Sequence, residues 1–139
     1  MNRRFVTAWA VVFVAWMLGS FAVHGAMLAD DYQRLGGMMR APADAQNYFH
    51  YVILAHVLLS GAFTWIYSKG IQASDWLGQG LRYGIAVVLL TSAPTYLIYY
   101  AVQPMPGMLV TRQIVFDGIL VMLLALLVAF LYRDRSRSD

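Results

Sequence analysis

Four uninterrupted apolar stretches decide what this 139-residue chain can become. They run over residues 5–24, 48–67, 81–102 and 114–131. Each is about 20 residues long, which at a helical rise of about 1.5 Å per residue crosses the roughly 30 Å hydrocarbon layer of a bilayer. Backbone N–H and C=O groups in lipid must be satisfied within the spanning structure. None of the four stretches shows the polar alternation of a barrel strand, so helices are the economical solution. With 60% of residues hydrophobic and 12% charged, a water-soluble domain would lack the polar surface it needs. The expected fold is all-α: an integral membrane, antiparallel bundle of four transmembrane helices, forming a single domain over residues 1–139.

The first stretch follows a basic start, MNRRF, as a secretory leader would, but it is long and carries Trp9 and Trp16, so a retained helix is expected. The chain has no cysteine, which removes disulfides, thiolate metal ligands and cysteine lipidation. The net charge of +3 is unevenly spread: Arg3, Arg4, Lys69, Arg82, Arg133, Arg135 and Arg137 fall on one side of a four-helix layout, and Arg34, Arg40 and Arg112 on the other. Seven against three assigns both termini to the cytoplasm by the positive-inside rule. The basic tail at 132–139, YRDRSRSD, then reads as a stop-transfer flank against anionic headgroups, and no nucleic-acid partner is expected.

Residues 25–47 form the longest connection, on the outer side. Within it LADDYQRL suits a short helix, with Asp30 and Asp31 at its positive N-terminal end and Arg34 spaced to pair with them. Met27, Leu28, Leu35, Met38 and Met39 can dip into the interface, which makes this a surface-lying interfacial helix. GGMMRAPAD breaks it. On the inner side Ser74 is an expected N-cap and Trp76 an interfacial anchor. Gly80 and Gly84 have the spacing that lets helices approach closely, Pro94 should kink the third helix and free the carbonyl near Leu90, and VQPMPGML should form a tight turn.

Placing the embedded polar residues by depth exposes an asymmetry. Ser20, His24, His50, His56, Ser60, Thr91, Ser92, Thr95, Tyr96, Tyr99, Tyr100, Arg112 and Asp117 all fall in the outer half, whereas the inner half holds little beyond Thr7, Thr64 and Tyr83. Ionisable groups in a bilayer are costly and normally face a bundle interior or a water-filled cavity. The pattern points to a cup open to the outside, lined by His24, His56, Tyr96, Tyr99 and Asp117. His56, eight residues past Tyr48, lies roughly 12 Å deep. His50 is about 120° around the helix from it, so the two histidines cannot chelate one ion from that helix alone. The alternatives are structural: His56 bonded to Thr91, Thr95 or the freed carbonyl would pin the second helix to the third. His24 and His50 would anchor at the interface, Asp117 would cap its helix or pair with Arg112, and YLIYY would form an aromatic belt.

Histidines on different helices can ligate haem or hydrogen-bond a quinone carbonyl. Thioethers and imidazoles suit Cu(I), for which His24, His50, Met38, Met39, Met105 and Met108 are candidates, although methionine is also an adaptable apolar filler. Four helices in a short chain resemble the small multidrug exporters, but those work around an acidic residue in their first helix, and here the embedded acid is Asp117 on the fourth. Paired carboxylates, HExxH, a Gly-rich phosphate loop and a nucleophile elbow are all missing, so enzyme chemistry is disfavoured.

HGAMLADDYQRL, KGIQ followed by GLRYG, and YAVQPMP resemble a family of small bacterial four-helix membrane proteins of uncharacterised function. The resemblance spans most of the chain and implies a bacterial inner-membrane location, without assigning an activity or site residues. It groups His24 with Asp31 and Tyr32, and Gln103 with Pro104, as parts of one outer-face feature. The expected function is a non-enzymatic accessory, assembly or binding subunit that packs in the bilayer against another membrane protein or itself. A redox or metal-binding protein using haem, quinone or copper is the second expectation, and a small transporter the third.

Overall fold

The structure, a computed structural model, describes residues 2–72 and 75–133. Ser74, the expected N-cap, and tail residues 134–139 with Arg135 and Arg137 lie outside the described residues. The described chain is helical and contains no strand. Helix α1 (Arg3–Ser20) runs directly into a π-helical turn, Phe21–Met27. Helix α2 (Ala29–Gln33), a 3₁₀ turn (Gly36–Met38), α3 (Pro42–Ala45) and a second 3₁₀ turn (Gln46–Tyr48) lead into α4 (Phe49–Lys69). Helices α5 (Trp76–Leu90), α6 (Ser92–Val102) and α7 (Gly107–Tyr132) complete the fold. Four helical runs, Arg3–Met27, Gly36–Lys69, Trp76–Val102 and Gly107–Tyr132, are long and apolar enough to cross a membrane.

Helix ends depart from the sequence expectation where polar residues extend a helix beyond its apolar stretch. The fourth run begins at Gly107 rather than at residue 114, directly after Pro106, whose fixed φ of −61° leads into the first turn. Asp75 caps α5, its carboxylate accepting from the Gly78 N–H at 2.8 Å. The third run is interrupted at Thr91, with φ −118° and ψ −76°. Pro94 has no N–H to offer the Leu90 carbonyl, and the Thr91 hydroxyl donates back to Val87 O at 2.7 Å.

Helix α7 is the hub, packing against α5 most extensively and also against α6, α1 and α4. Its Val121, Leu124, Ala125, Val128 and Ala129 meet Ala8 and Val12 of α1 and Phe63 and Tyr67 of α4 in the main core. Small residues permit the helices to approach closely. Gly80 and Gly84 lie against Ala129 and Ala125: a Cβ at Gly80 would sit 2.9 Å from the Ala129 Cβ. Helix α4 is held to α1 by Trp9, whose indole N–H lies 3.1 Å from both Val57 O and Ser60 Oγ. Residues 49–55 of α4 are exposed.

The end bearing the first and last helical residues is more polar than expected. The Tyr83 hydroxyl donates to Phe63 O at 2.6 Å, Tyr67 reaches Gln79, and the Gln79 amide donates to Gly70 O at 2.8 Å. The Arg4 guanidinium donates to Leu131 O at 3.0 Å. At the opposite end a second apolar cluster of Val23, Leu28 and Leu109 takes in Tyr32, Leu35 and Met105. This revises the interfacial reading of the first connection: Leu28 and Leu35 dock inward on the protein, while Met27, Met38 and Met39 remain exposed.

Candidate functional site

The site grows from the final turns of the first helical run. From Phe21 to Met27 the chain is π-helical, and the Leu28 N–H bonds to Val23 O at 2.9 Å, five residues back. The wider π turn changes which way later side chains point, and such turns are rare and frequently found at functional sites. His24 lies within this turn. Leu28, fully buried, then anchors the chain as α2 begins.

Two adjacent residues of α2 meet two adjacent residues of α7. Asp31 accepts from the Arg112 guanidinium at 2.8 Å, and the Tyr32 hydroxyl accepts from the Gln113 amide N–H at 3.1 Å. Asp117, one turn beyond Gln113, shares its face of α7. One oxygen of Asp117 lies 3.2 Å from His24 Nε2, and the other accepts from the Tyr96 hydroxyl of α6. His24 Nδ1 stands 2.6 Å from the Tyr32 hydroxyl, the rings stacked at 5.9 Å with an interplanar angle of 23°. The result is a continuous chain, Tyr96–Asp117–His24–Tyr32–Gln113, joining the π-helical turn after α1 to α2, α6 and α7.

Proton placement follows from the donors available. With His24 neutral and its proton on Nε2, the nitrogen 3.2 Å from the Asp117 carboxylate, Nδ1 is an acceptor and Tyr32 donates to it. Gln113 donates to the Tyr32 oxygen, and its own carbonyl oxygen is buried without a partner. Burial pushes the Tyr32 phenol above its ordinary value of 10.0. The Gln113 hydrogen bond works against that rise, while the Asp117 and Asp31 charges add to it, and the phenol keeps its proton.

Beside this chain, under the connection between α1 and α4, is a cavity of about 1110 Å³. Phe21, His24, Tyr32, Arg40, Gln46 and Phe49 are among its lining residues, and most of the lining is apolar. Its charged side chains are compensated. Arg40 pairs with Asp44 at 2.8 Å and lies over the Tyr48 ring, and His24 faces Asp117.

The five residues expected to line one cup are thus divided. His24, Asp117 and Tyr96 are in contact in series, and Tyr99 meets the edge of the Tyr96 ring, centroids 6.4 Å apart, and is exposed. His56 belongs elsewhere. Its Nδ1 lies 2.8 Å from Val52 O on its own helix and its Nε2 3.0 Å from Ser20 Oγ, so it joins α4 to α1 and not to the third helical run. Asp117 pairs with His24 rather than Arg112, and Asp31 takes Arg112 in place of Arg34.

The six copper candidates have separate environments. Met105 fills the second apolar cluster, Met38 and Met108 are exposed, and Met39 lines the cavity. His50 packs on Tyr51, their rings 4.2 Å apart, and His24 is engaged at both nitrogens. Among the described residues no three His, Cys, Asp or Glu side chains gather to hold a metal ion. Tyr32 and Gln113 are the site residues that depth along the spans could not find. The resemblance coupled Tyr32 to His24, and the spacing of Gln113 to Asp117 was the available signal for the other. Comparison with protein-family models, curated proteins and solved structures finds no match.

Proposed function

We propose that the chain is a multi-pass protein of a bacterial inner membrane, an antiparallel four-helix bundle with both termini in the cytoplasm, acting as a non-enzymatic accessory or binding subunit through its outer face. The series of polar contacts from Tyr96 to Gln113, set beside the cavity, carries this reading. Embedded ionisable groups are costly enough to serve as markers of function. Here they rigidify a face at which a mostly apolar cavity meets a few convergent polar groups, the usual make-up of a binding site. Hydroxyl, imidazole and carboxylate do stand in the order of a nucleophilic triad. Tyr32, however, is a phenol that burial holds protonated, which favours a hydrogen-bonding role over attack. The family resemblance supports the bacterial inner-membrane location.

Purification from native membranes in a mild detergent tests the proposal. A stoichiometric membrane partner is expected, and a Met38→Cys variant should be labelled by an impermeant reagent from the periplasmic side. Labelling only from the cytoplasm would reverse the topology, and isolation of the chain alone would remove the accessory role. A Soret band or stoichiometric copper in the purified sample would instead favour the redox or metal alternative.

A further inference from the structure

We propose that the cavity under the α1–α4 connection binds a lipid-soluble quinone, its ring among Phe21, Phe49, His24 and Tyr32 and a carbonyl oxygen accepting from the Tyr32 hydroxyl. The inference deepens the binding role assigned above and rests on it. Three observations select this ligand class. First, Arg40 is the one fixed charge among the lining residues, half-exposed and paired with Asp44, and most of the lining is apolar, which favours a neutral occupant over a phosphate- or carboxylate-bearing lipid. Second, four aromatic rings, those of Phe21, His24, Tyr32 and Phe49, line the space, which favours a flat conjugated ring over flexible ester chains. Third, the Tyr32 hydroxyl is a donor controlled by a titratable neighbour, because it lies 2.6 Å from His24 Nδ1.

That control works through donor counting. While His24 is neutral, the Tyr32 hydrogen points to Nδ1. When His24 gains a proton, both ring nitrogens become donors, Nε2 to Asp117 and Nδ1 to the Tyr32 oxygen, which also accepts from Gln113. The Tyr32 hydrogen is then released toward the cavity that its ring lines. The charged and titratable groups facing His24 are Asp117 from α7, Tyr32 from α2 and, through Asp117, Tyr96 from α6, with the Asp31–Arg112 pair alongside and Arg40–Asp44 across the cavity. Asp117 balances the imidazolium, so protonation adds no unpaired charge and alters the direction of one hydrogen bond.

Decylubiquinone titrated calorimetrically into the whole protein in phosphatidylcholine nanodiscs tests the proposal. Saturable binding at one molecule per chain is expected, weakened about tenfold by Tyr32→Phe, the loss of one hydrogen bond. Wild-type affinity should rise on acidification and Tyr32→Phe should lose this rise. Ala45→Phe, which adds bulk to the lining without touching the hydrogen-bonded chain, should abolish binding and decides the matter should Tyr32→Phe misfold. Absence of saturable binding, equal affinity of wild type and Tyr32→Phe at every pH, or tighter binding of dioctanoylglycerol than of the quinone would each overturn the proposal. If a partner co-purifies with wild type and variants alike while decylubiquinone fails to bind, the quinone falls and the accessory role stands.

Discussion

Replacing Asp117 by Asn retains the shape of the side chain and removes its charge, which makes it a sharp probe of the Tyr96–Asp117–His24–Tyr32 series. Asn can still accept from Tyr96, so that link survives. Its amide N–H₂ then faces His24 Nε2, 3.2 Å away in the wild type, and the imidazole must carry its proton on Nδ1 instead. Nδ1 therefore donates to the Tyr32 oxygen, already an acceptor of the Gln113 amide, and the phenol hydrogen loses its acceptor. Interhelical hydrogen bonds within membranes average about 0.6 kcal/mol and reach about 1.7. With one charge-assisted contact weakened and one donor orphaned, the expected cost is about 1–2 kcal/mol. It should concentrate in α2 and the 3₁₀ turn after it, which hydrogen exchange over residues 28–38 would register. A double-mutant cycle with His24→Phe, in which the ring can still stack on Tyr32, should return a coupling of about 1 kcal/mol in detergent-titrated unfolding. Additivity within about 0.3 kcal/mol, the behaviour of independent sites, would refute the connection of His24 to Asp117.

Gly80→Ala should destabilise the α5–α7 contact by about 1 kcal/mol or more despite the helix-propensity gain, because the new Cβ would lie 2.9 Å from the Ala129 Cβ and 3.2 Å from the Ala125 carbonyl. Gly78→Ala, meeting only the Asp75 carboxylate at 3.6 Å, should be neutral or stabilising in the same unfolding assay. The Tyr32 phenol is raised from 10.0, so the stability it contributes is fully present below about pH 10 and is lost as pH climbs through the raised value. Proteolysis of the 28–40 connection should therefore accelerate only above that pH, and Tyr32→Phe should flatten the dependence. His56→Ala removes the bond to Ser20 and should cost about 0.6 kcal/mol while leaving decylubiquinone affinity unchanged. A change in that affinity would return His56 to the binding site.

The existence of four long apolar helices was legible because lipid leaves few choices: each span needs about 20 apolar residues and internal hydrogen bonding. Their ends were not legible on the same ground, since apolar content marks how much of a helix lipid can cover and not how far the helix continues. Thr111, Arg112 and Gln113 belong to the first turns of α7, although a hydropathy reading leaves them in a loop. The interruption of the third run was readable from Pro94, and the close approach at Gly80 and Gly84 from their spacing. The Tyr67–Gln79–Tyr83 contacts escaped because residues near a span boundary read as interfacial, and only tertiary packing turns their hydroxyl and amide groups inward.

Depth and direction around a helix carry different kinds of information, and the site required both. Spacing from the span ends put His24, Asp117 and Tyr96 in the same outer half, because depth depends only on counting residues along a regular helix. Direction fails wherever the helix stops being regular. His24 sits in a π-helical turn, where the 100° step assumed for an α-helix no longer holds, so its orientation toward both Asp117 and Tyr32 could not be counted out from Phe5. His56 shows the complementary limit. Its helix is regular and its depth sound, but a single helix does not reveal which neighbour occupies its polar side, and α1 with Ser20 does so here. Arg112 and Gln113 could be assigned only after α2 was known to dock through Leu28 and Leu35, since that docking brings Asp31 and Tyr32 within bonding distance of α7. The connection between the first two spans therefore closes the candidate site by the same apolar contacts that a surface-lying reading would have spent on lipid.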